Sequence, residues 1–117
     1  MAGILIVDDD ASIRSSLRRF LEPHGHDIAE AADGVEALDH LGKHRVDLAF
    51  VDLAMPNMNG MELLHHIKSD YAGTKVVVMS AFEDVIDLAE RELSVVQSLY
   101  KPFTLEDVGA AVRAAIS

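Results

Sequence analysis

The chain has 117 residues, 50% of them hydrophobic and 26% charged, which suits one domain with a single core and excludes a disordered or low-complexity chain. Twenty acidic against ten basic side chains give a formal charge of -10 at pH 7, which repels nucleic-acid phosphates and anionic membrane surfaces and argues against a direct nucleic-acid role. There is no cysteine, no basic leader and no apolar run near the ~20 residues of a membrane span, so thiol chemistry, disulfides, secretion and membrane insertion fall away and a cytoplasmic protein is the expectation.

The first apolar run, residues 4–7, runs straight into Asp8, Asp9 and Asp10. A helical pattern follows, with Ile13, Leu17, Phe20 and Leu21 on one stripe, Arg14, Arg18 and Arg19 left to face water, and Pro23 and Gly25 ending it. Residues 27–31 read as a less apolar strand, hence an edge strand. Asp33 can cap a second helix carrying Ala37, Leu38 and Leu41. A near-continuous apolar run at 46–51 predicts a third strand, and Asn59 can cap a third helix carrying Leu63, Leu64 and Ile67. Residues 76–79 predict the fourth strand, 83–92 a helix with a thin apolar stripe, and 95–100 the fifth strand. Thr104 opens the last helix, where Thr104 to Asp107 has the spacing of a capping box and Leu105, Val108, Val112 and Ile116 form the expected buried stripe. Five alternations of strand and helix argue for βαβ units in a doubly wound α/β sheet, with residues 1–117 as one domain.

The polar residues at the strand ends carry the chemistry. Asp8, Asp9 and Asp10 follow the first strand, Asp52 closes the third, Ser80 the fourth and Lys101 the fifth. Ligands of open α/β sheets bind beyond the carboxyl ends of the strands, where the strand order reverses. If the first and third strands are neighbours, ~4.8 Å apart, Asp52 approaches the aspartate cluster. Carboxylates ~4 Å apart repel by about 4 kcal/mol at an effective dielectric of 20. A proton can relieve this by raising one pKa, or a hard divalent cation by accepting carboxylate oxygens. Mg2+ is favoured because a few carboxylates satisfy it and it takes phosphate oxygens as further ligands. A carboxylate beside a cation, the Lys101 ammonium and the Ser80 hydroxyl is placed to attack a phosphoryl group, since those neighbours can hold its oxygens.

With these residues in view the chain resembles the response-regulator receiver domain, the phosphoacceptor module of two-component signalling. The resemblance rests on Asp8-Asp9, on the string Val51-Asp52-Leu53-Ala54-Met55-Pro56-Asn57-Met58-Asn59-Gly60, on Ser80-Ala81 and on Lys101-Pro102-Phe103, and covers nearly the whole length. It implies a flavodoxin-like (βα)5 fold with five parallel strands in the order 2-1-3-4-5. It also implies that Asp52 is the phosphoacceptor and that Asp9, Asp52 and the backbone carbonyl of Ala54 ligate Mg2+, with Asp8 completing the acid pair through water. Ser80 and Lys101 would hold phosphoryl oxygens, and Lys101-Pro102 would be a cis peptide. The implied partners are a sensor histidine kinase or phosphotransfer protein and an output domain or effector. The chain would be a signalling domain, promoting only its own phosphorylation and dephosphorylation, and would switch the surface of its fourth helix, fifth strand and fifth helix. Ser98 stands where many members carry a switch aromatic, Tyr100 abuts Lys101, and Ser94 and Val95 replace a common Gly-Ala, so the resemblance carries over the pocket but not a serine-to-aromatic switch.

Plainer roles compete. Asp10 reads better as a first-turn acid or N-cap than as a metal ligand. His40 and His44 have the spacing of a helical ligand pair but lack a third ligand, and they read, like His65 and His66, as surface residues. Met55, Met58 and Met61 suit packing around the third strand and helix. Asp8-x-Asp10 mimics the opening of a haloacid dehalogenase-type phosphatase, although the chain turns into its last helix where that family needs a further acidic pair. A pseudo-receiver or flavodoxin-like binding module is the remaining alternative.

Overall fold

In the computed structural model, which describes residues 2–54, 59–93 and 95–116, five strands alternate with five α-helices. The strands are β1 (Gly3–Val7), β2 (Asp27–Ala31), β3 (Leu48–Asp52), β4 (Lys75–Ser80) and β5 (Gln97–Tyr100). The helices are α1 (Ala11–Leu21), α2 (Gly34–Lys43), α3 (Gly60–Asp70), α4 (Glu83–Glu92) and α5 (Leu105–Ile116), with a short 3-10 turn (Glu22–His24) after α1. All neighbouring strands pair in parallel, in the order β2-β1-β3-β4-β5. This is the expected flavodoxin-like order.

The apolar runs form central strands because both of their faces are covered. Leu5, Val7, Ala49, Val51, Val76 and Val78 point to the layer of α2, α3 and α4, where they meet Ala37, Leu41, Leu63, Leu64, Ile67, Ile86 and Ala89. Their alternates Ile4, Ile6, Leu48, Phe50, Val77 and Met79 point the other way, onto Leu17 and Leu21 of α1 and Val108 and Ala111 of α5. Successive side chains of a strand face opposite ways, so a strand without polar alternation belongs in the middle of a three-layer sandwich.

The caps fall where side-chain oxygens can satisfy free helix N–H groups. Asp10 accepts from the Ser12 amide at 2.9 Å and starts α1. Asp33 accepts from Glu36 at 2.9 Å and Asn59 from Glu62 at 3.0 Å. Thr104 and Asp107 exchange bonds of 2.9 and 3.1 Å in a reciprocal capping box. Gly25, at φ 87, supplies the left-handed residue that turns the chain toward β2.

Four expectations need correction. Arg14 and Arg18 do not face water freely. Arg14 Nε pairs with Glu30 at 3.1 Å and its Nη1 donates to the Asp8 carbonyl, while Arg18 reaches Glu30 and Glu22, each at 2.6 Å, and the Ile28 carbonyl. Together they cover the weakly apolar edge strand β2. The stripe of α5 is Val108 and Ala111, flanked by Val112 and Ala115, whereas Leu105 is 53% and Ile116 36% exposed. Twelve helical residues rise about 18 Å and four strand residues only about 13 Å, so α5 outruns β5 at its ends. Strands β3 and β5 start two residues later than their apolar runs, because strand pairing begins at Leu48 and Gln97. His44, His65 and His66 are exposed as expected, but His40 is partly buried and stacks on His44 with ring centroids 4.5 Å apart.

Candidate functional site

The parallel register delivers the strand-end residues to one edge of the sheet. Val7 pairs with Val51 and Asp52 with Met79, so Asp8 leaves β1 beside Asp52, and Ser80 leaves β4 one residue farther on. Asp8 is fully buried, Asp52 is 4% and Ser80 2% exposed. Asp9 is exposed, and ligand atoms of Asp8, Asp9 and Asp52 lie within 4.8 Å of one another. Among the described residues this is the one such group of three acidic or histidine side chains.

Hydrogen bonds hold each member in place. The Asp8 amide donates to the Ala31 carbonyl of β2, and Asp8 Oδ1 accepts from the Asp10 amide at 2.9 Å. Lys101 Nζ donates to Asp8 Oδ2 at 2.9 Å and lies 3.5 Å from Asp52 Oδ2. Asp52 Oδ1 accepts from the Ala54 amide at 3.2 Å. Ala54 itself is exposed, and the residues 55–58 that follow, with Met55 and Met58, lie outside the described part of the chain. Ser80 Oγ accepts from the Phe82 amide at 3.0 Å, which leaves its own O–H to donate elsewhere. The Ser80 carbonyl takes the Lys101 amide at 2.8 Å, and Lys101-Pro102 is a cis peptide.

The electrostatics favour a further positive charge. Burial pushes the Asp52 carboxyl up to about 6; the Ala54 amide opposes the shift, the fields of Asp8 and Asp9 add to it and that of Lys101 offsets it in part. Burial by itself lowers Lys101, but its hydrogen bond to Asp8 and the field of Asp52 outweigh that, and its pKa is raised. Carboxylate atoms at the 4.8 Å limit still repel by about 3 to 4 kcal/mol per pair at an effective dielectric of 20. One ammonium cannot balance three carboxylates. An oxygen-only donor set with a surplus of negative charge fits a hard divalent cation such as Mg2+.

Two contacts that support the site were not read from the sequence as parts of it. Arg14 grips the Asp8 carbonyl, and only its place one helical turn after the aspartates hints at this. Gly60 at the start of α3 lies against the backbone that follows β3: a Cβ there would come within 2.3 Å of the Asp52 carbonyl oxygen. Only glycine permits so close an approach. Asp10, by contrast, turns its carboxylate to the Ser12 amide and hydroxyl, away from the three-carboxylate group.

The family model of the response regulator receiver domain matches residues 4–113. The chain belongs to this family. The receiver domain is 38% identical over 112 residues to the response regulator MprA of Mycobacterium sp. (strain KMS), covering 95% of this chain and 49% of that protein. It thus spans about half the length of such relatives. Among solved structures it resembles the chemotaxis protein CheY4 of Vibrio cholerae, with a TM-score of 0.88, 29% identity and 99% of both chains covered. It also resembles the response regulator protein TrrA of Thermotoga maritima in complex with Mg2+-BeF, with a TM-score of 0.85, 27% identity, and 99% of this chain and 100% of that one covered. Response regulators take signals from sensor kinases and act through output domains, which places this receiver domain in two-component signalling. Neither the comparisons nor the capping role of Asp10 supports the phosphatase reading built on Asp8 and Asp10. No described helix is long and apolar enough to cross a membrane.

Proposed function

We propose that residues 1–117 act as one receiver unit that accepts a phosphoryl group on Asp52 from a phosphohistidine of a sensor kinase or phosphotransfer protein. The observation that carries this is the convergence, at one end of the sheet, of three carboxylates and one ammonium, with the buried Asp52 carboxylate at the end of β3 lying 3.5 Å from Lys101. An Asp52 carboxylate oxygen forms the new O–P bond as the P–N bond of the phosphohistidine breaks. The bonding electron pair goes to the imidazole nitrogen. Lys101 can leave Asp52 Oδ2 for a transferred oxygen while keeping its bond to Asp8, and the Ser80 O–H can donate to another. Asp9, Asp52 and the Ala54 carbonyl are the groups that would hold Mg2+, with Asp8 bonding to its water. Bound there, Mg2+ would supply the charge neutralisation that a transferring phosphoryl group needs.

The acyl phosphate carries a charge of about -2 where the free carboxylate carries -1, beside Lys101 and Ser80, which lead into α5 and α4. That charge biases the surface of α4, β5 and α5 toward the output partner, and hydrolysis by water restores the carboxylate. The chain promotes only these two reactions of its own aspartate. The decisive experiment is intact-mass measurement after incubation with acetyl phosphate, with and without Mg2+. Wild type with Mg2+ gains one phosphoryl group and Asp52→Asn gains none. Equal labelling of Asp52→Asn would overturn the assignment, and an unreactive wild type would favour the pseudo-receiver reading.

A further inference from the structure

We propose that His40 and His44, at the carboxyl end of α2, form a binding site for a borderline divalent transition-metal ion of the Zn2+ class. The site lies at the end of the sheet opposite Asp52. A recess of about 280 Å³ holds both imidazoles and opens among the first residues of β1 and β2, with Asp27, Ile28 and Arg45 on its walls. The site stands on the geometry of the unmodified chain and does not depend on the function proposed for Asp52.

Helix geometry brings the two rings together. Residues four apart stand one above the other on a helix face. His44 ends α2, yet its amide still donates to the His40 carbonyl at 2.9 Å, so it keeps its place one turn above. The rings stack with centroids 4.5 Å apart and planes 22° from parallel. Zn2+ takes imidazole nitrogens at about 2.0–2.1 Å, so two tetrahedral ligands set their nitrogens about 3.4 Å apart. Tilting the rings together at one edge closes that gap, with the exposed His44 moving and the partly buried His40 held in place. Among the described residues this is the only stacked pair of histidines. His65 and His66, adjacent on α3, point about 100° apart around the helix and do not face each other.

The surroundings favour a cation. The last carbonyls of α2 carry the negative end of the helix dipole. Asp27 adds a carboxylate to the same recess; it acts through its field or a metal-bound water, since the described residues place no third ligand atom within reach of both imidazoles. The basic side chains on either side of His44 are offset by acids, Lys43 by Asp39 at 3.2 Å and Arg45 by Asp47 at 3.3 Å. Waters complete the coordination. Imidazole suits Zn2+, Cu2+ and Ni2+, whereas Mg2+ prefers oxygen, so hard and borderline cations are sorted to opposite ends of one sheet.

The test is titration of the untagged, 15N-labelled chain with ZnCl2 in excess MgCl2, which competes for the carboxylates, read by calorimetry and by the imidazole nitrogen resonances. The expected result is one saturable site, with shifts centred on His40 and His44 among the six histidines. His40→Gln and His44→Gln should each weaken Zn2+ binding about tenfold or more, while His65→Gln and Asp52→Asn leave it unchanged. His44 is exposed, so its replacement leaves the packing of α2 intact. Equal affinity in His44→Gln and wild type would overturn the proposal, as would shifts spread evenly over the histidines. Loss of binding in Asp52→Asn would place the ion at the carboxylates instead and overturn it too.

Discussion

Asp52 sits where the fold resists its ionisation. Its native pKa of about 6 exceeds the 3.8 of an unperturbed aspartate, so the native state holds this proton more tightly than the unfolded chain does. The contribution to stability is fully present below about pH 4, where both states are protonated, and is lost as pH rises through about 6. In metal-free buffer Asp52→Asn, which stays neutral, should therefore be more stable than wild type near pH 8 by about 1–3 kcal/mol. Urea unfolding followed across this range should show the difference shrinking toward zero in acid; a constant gain would mean that ionisation of Asp52 is not the cause. Gly60 makes the opposite kind of prediction. Gly60→Ala puts a Cβ into the backbone just after Asp52, so it should cost about 1–3 kcal/mol in urea unfolding and slow labelling by acetyl phosphate. Unchanged stability and rate would show that the α3 start moves aside freely.

At the scale of elements, α1 joins the edge strand to the acidic loop. Arg14 bonds both Glu30 of β2 and the carbonyl of Asp8, so it ties the position of the acid pair to that of the edge strand. Arg14→Met retains the apolar stem and loses both bonds. It should destabilise the chain by about 1–2 kcal/mol, and Glu30→Gln by less, with a coupling between the two of about 0.5–1 kcal/mol in a double-mutant cycle. Strict additivity would show that the ion pair is screened into irrelevance. The apolar strand runs and the helix caps Asp10, Asp33, Asn59 and Thr104 were legible in the sequence because they depend on neighbours a few residues away. The solvent-facing reading of Arg14 and Arg18 and the stripe through Leu105 and Ile116 failed for the complementary reason. Each depends on what another element does, where β2 lies in one case and how far β5 extends in the other.

For the whole molecule, the strand-end cluster couples folding to cation binding. If the three carboxylates hold Mg2+, the ion binds the native chain and not the unfolded one, which should add about 2.7 kcal/mol at a hundredfold excess over Kd. Thermal melts should then rise by several degrees with MgCl2 and fall back with a chelator, whereas Asp52→Asn should respond weakly. An equal rise in both proteins would point to general screening of the net charge of -10 rather than to the site. By itself the sequence determined the alternation of strand and helix, the caps, and which strand ends carry acid, hydroxyl and ammonium, because apolar periodicity and side-chain chemistry are local properties. Tertiary structure alone decided which of these meet. The parallel register of β1, β3 and β4 sets Asp8 beside Asp52, the chain after β5 brings in Lys101 across 93 residues, and Asp10 is drawn away to cap α1. Such distances depend on strand order and pairing, which short-range pattern does not contain.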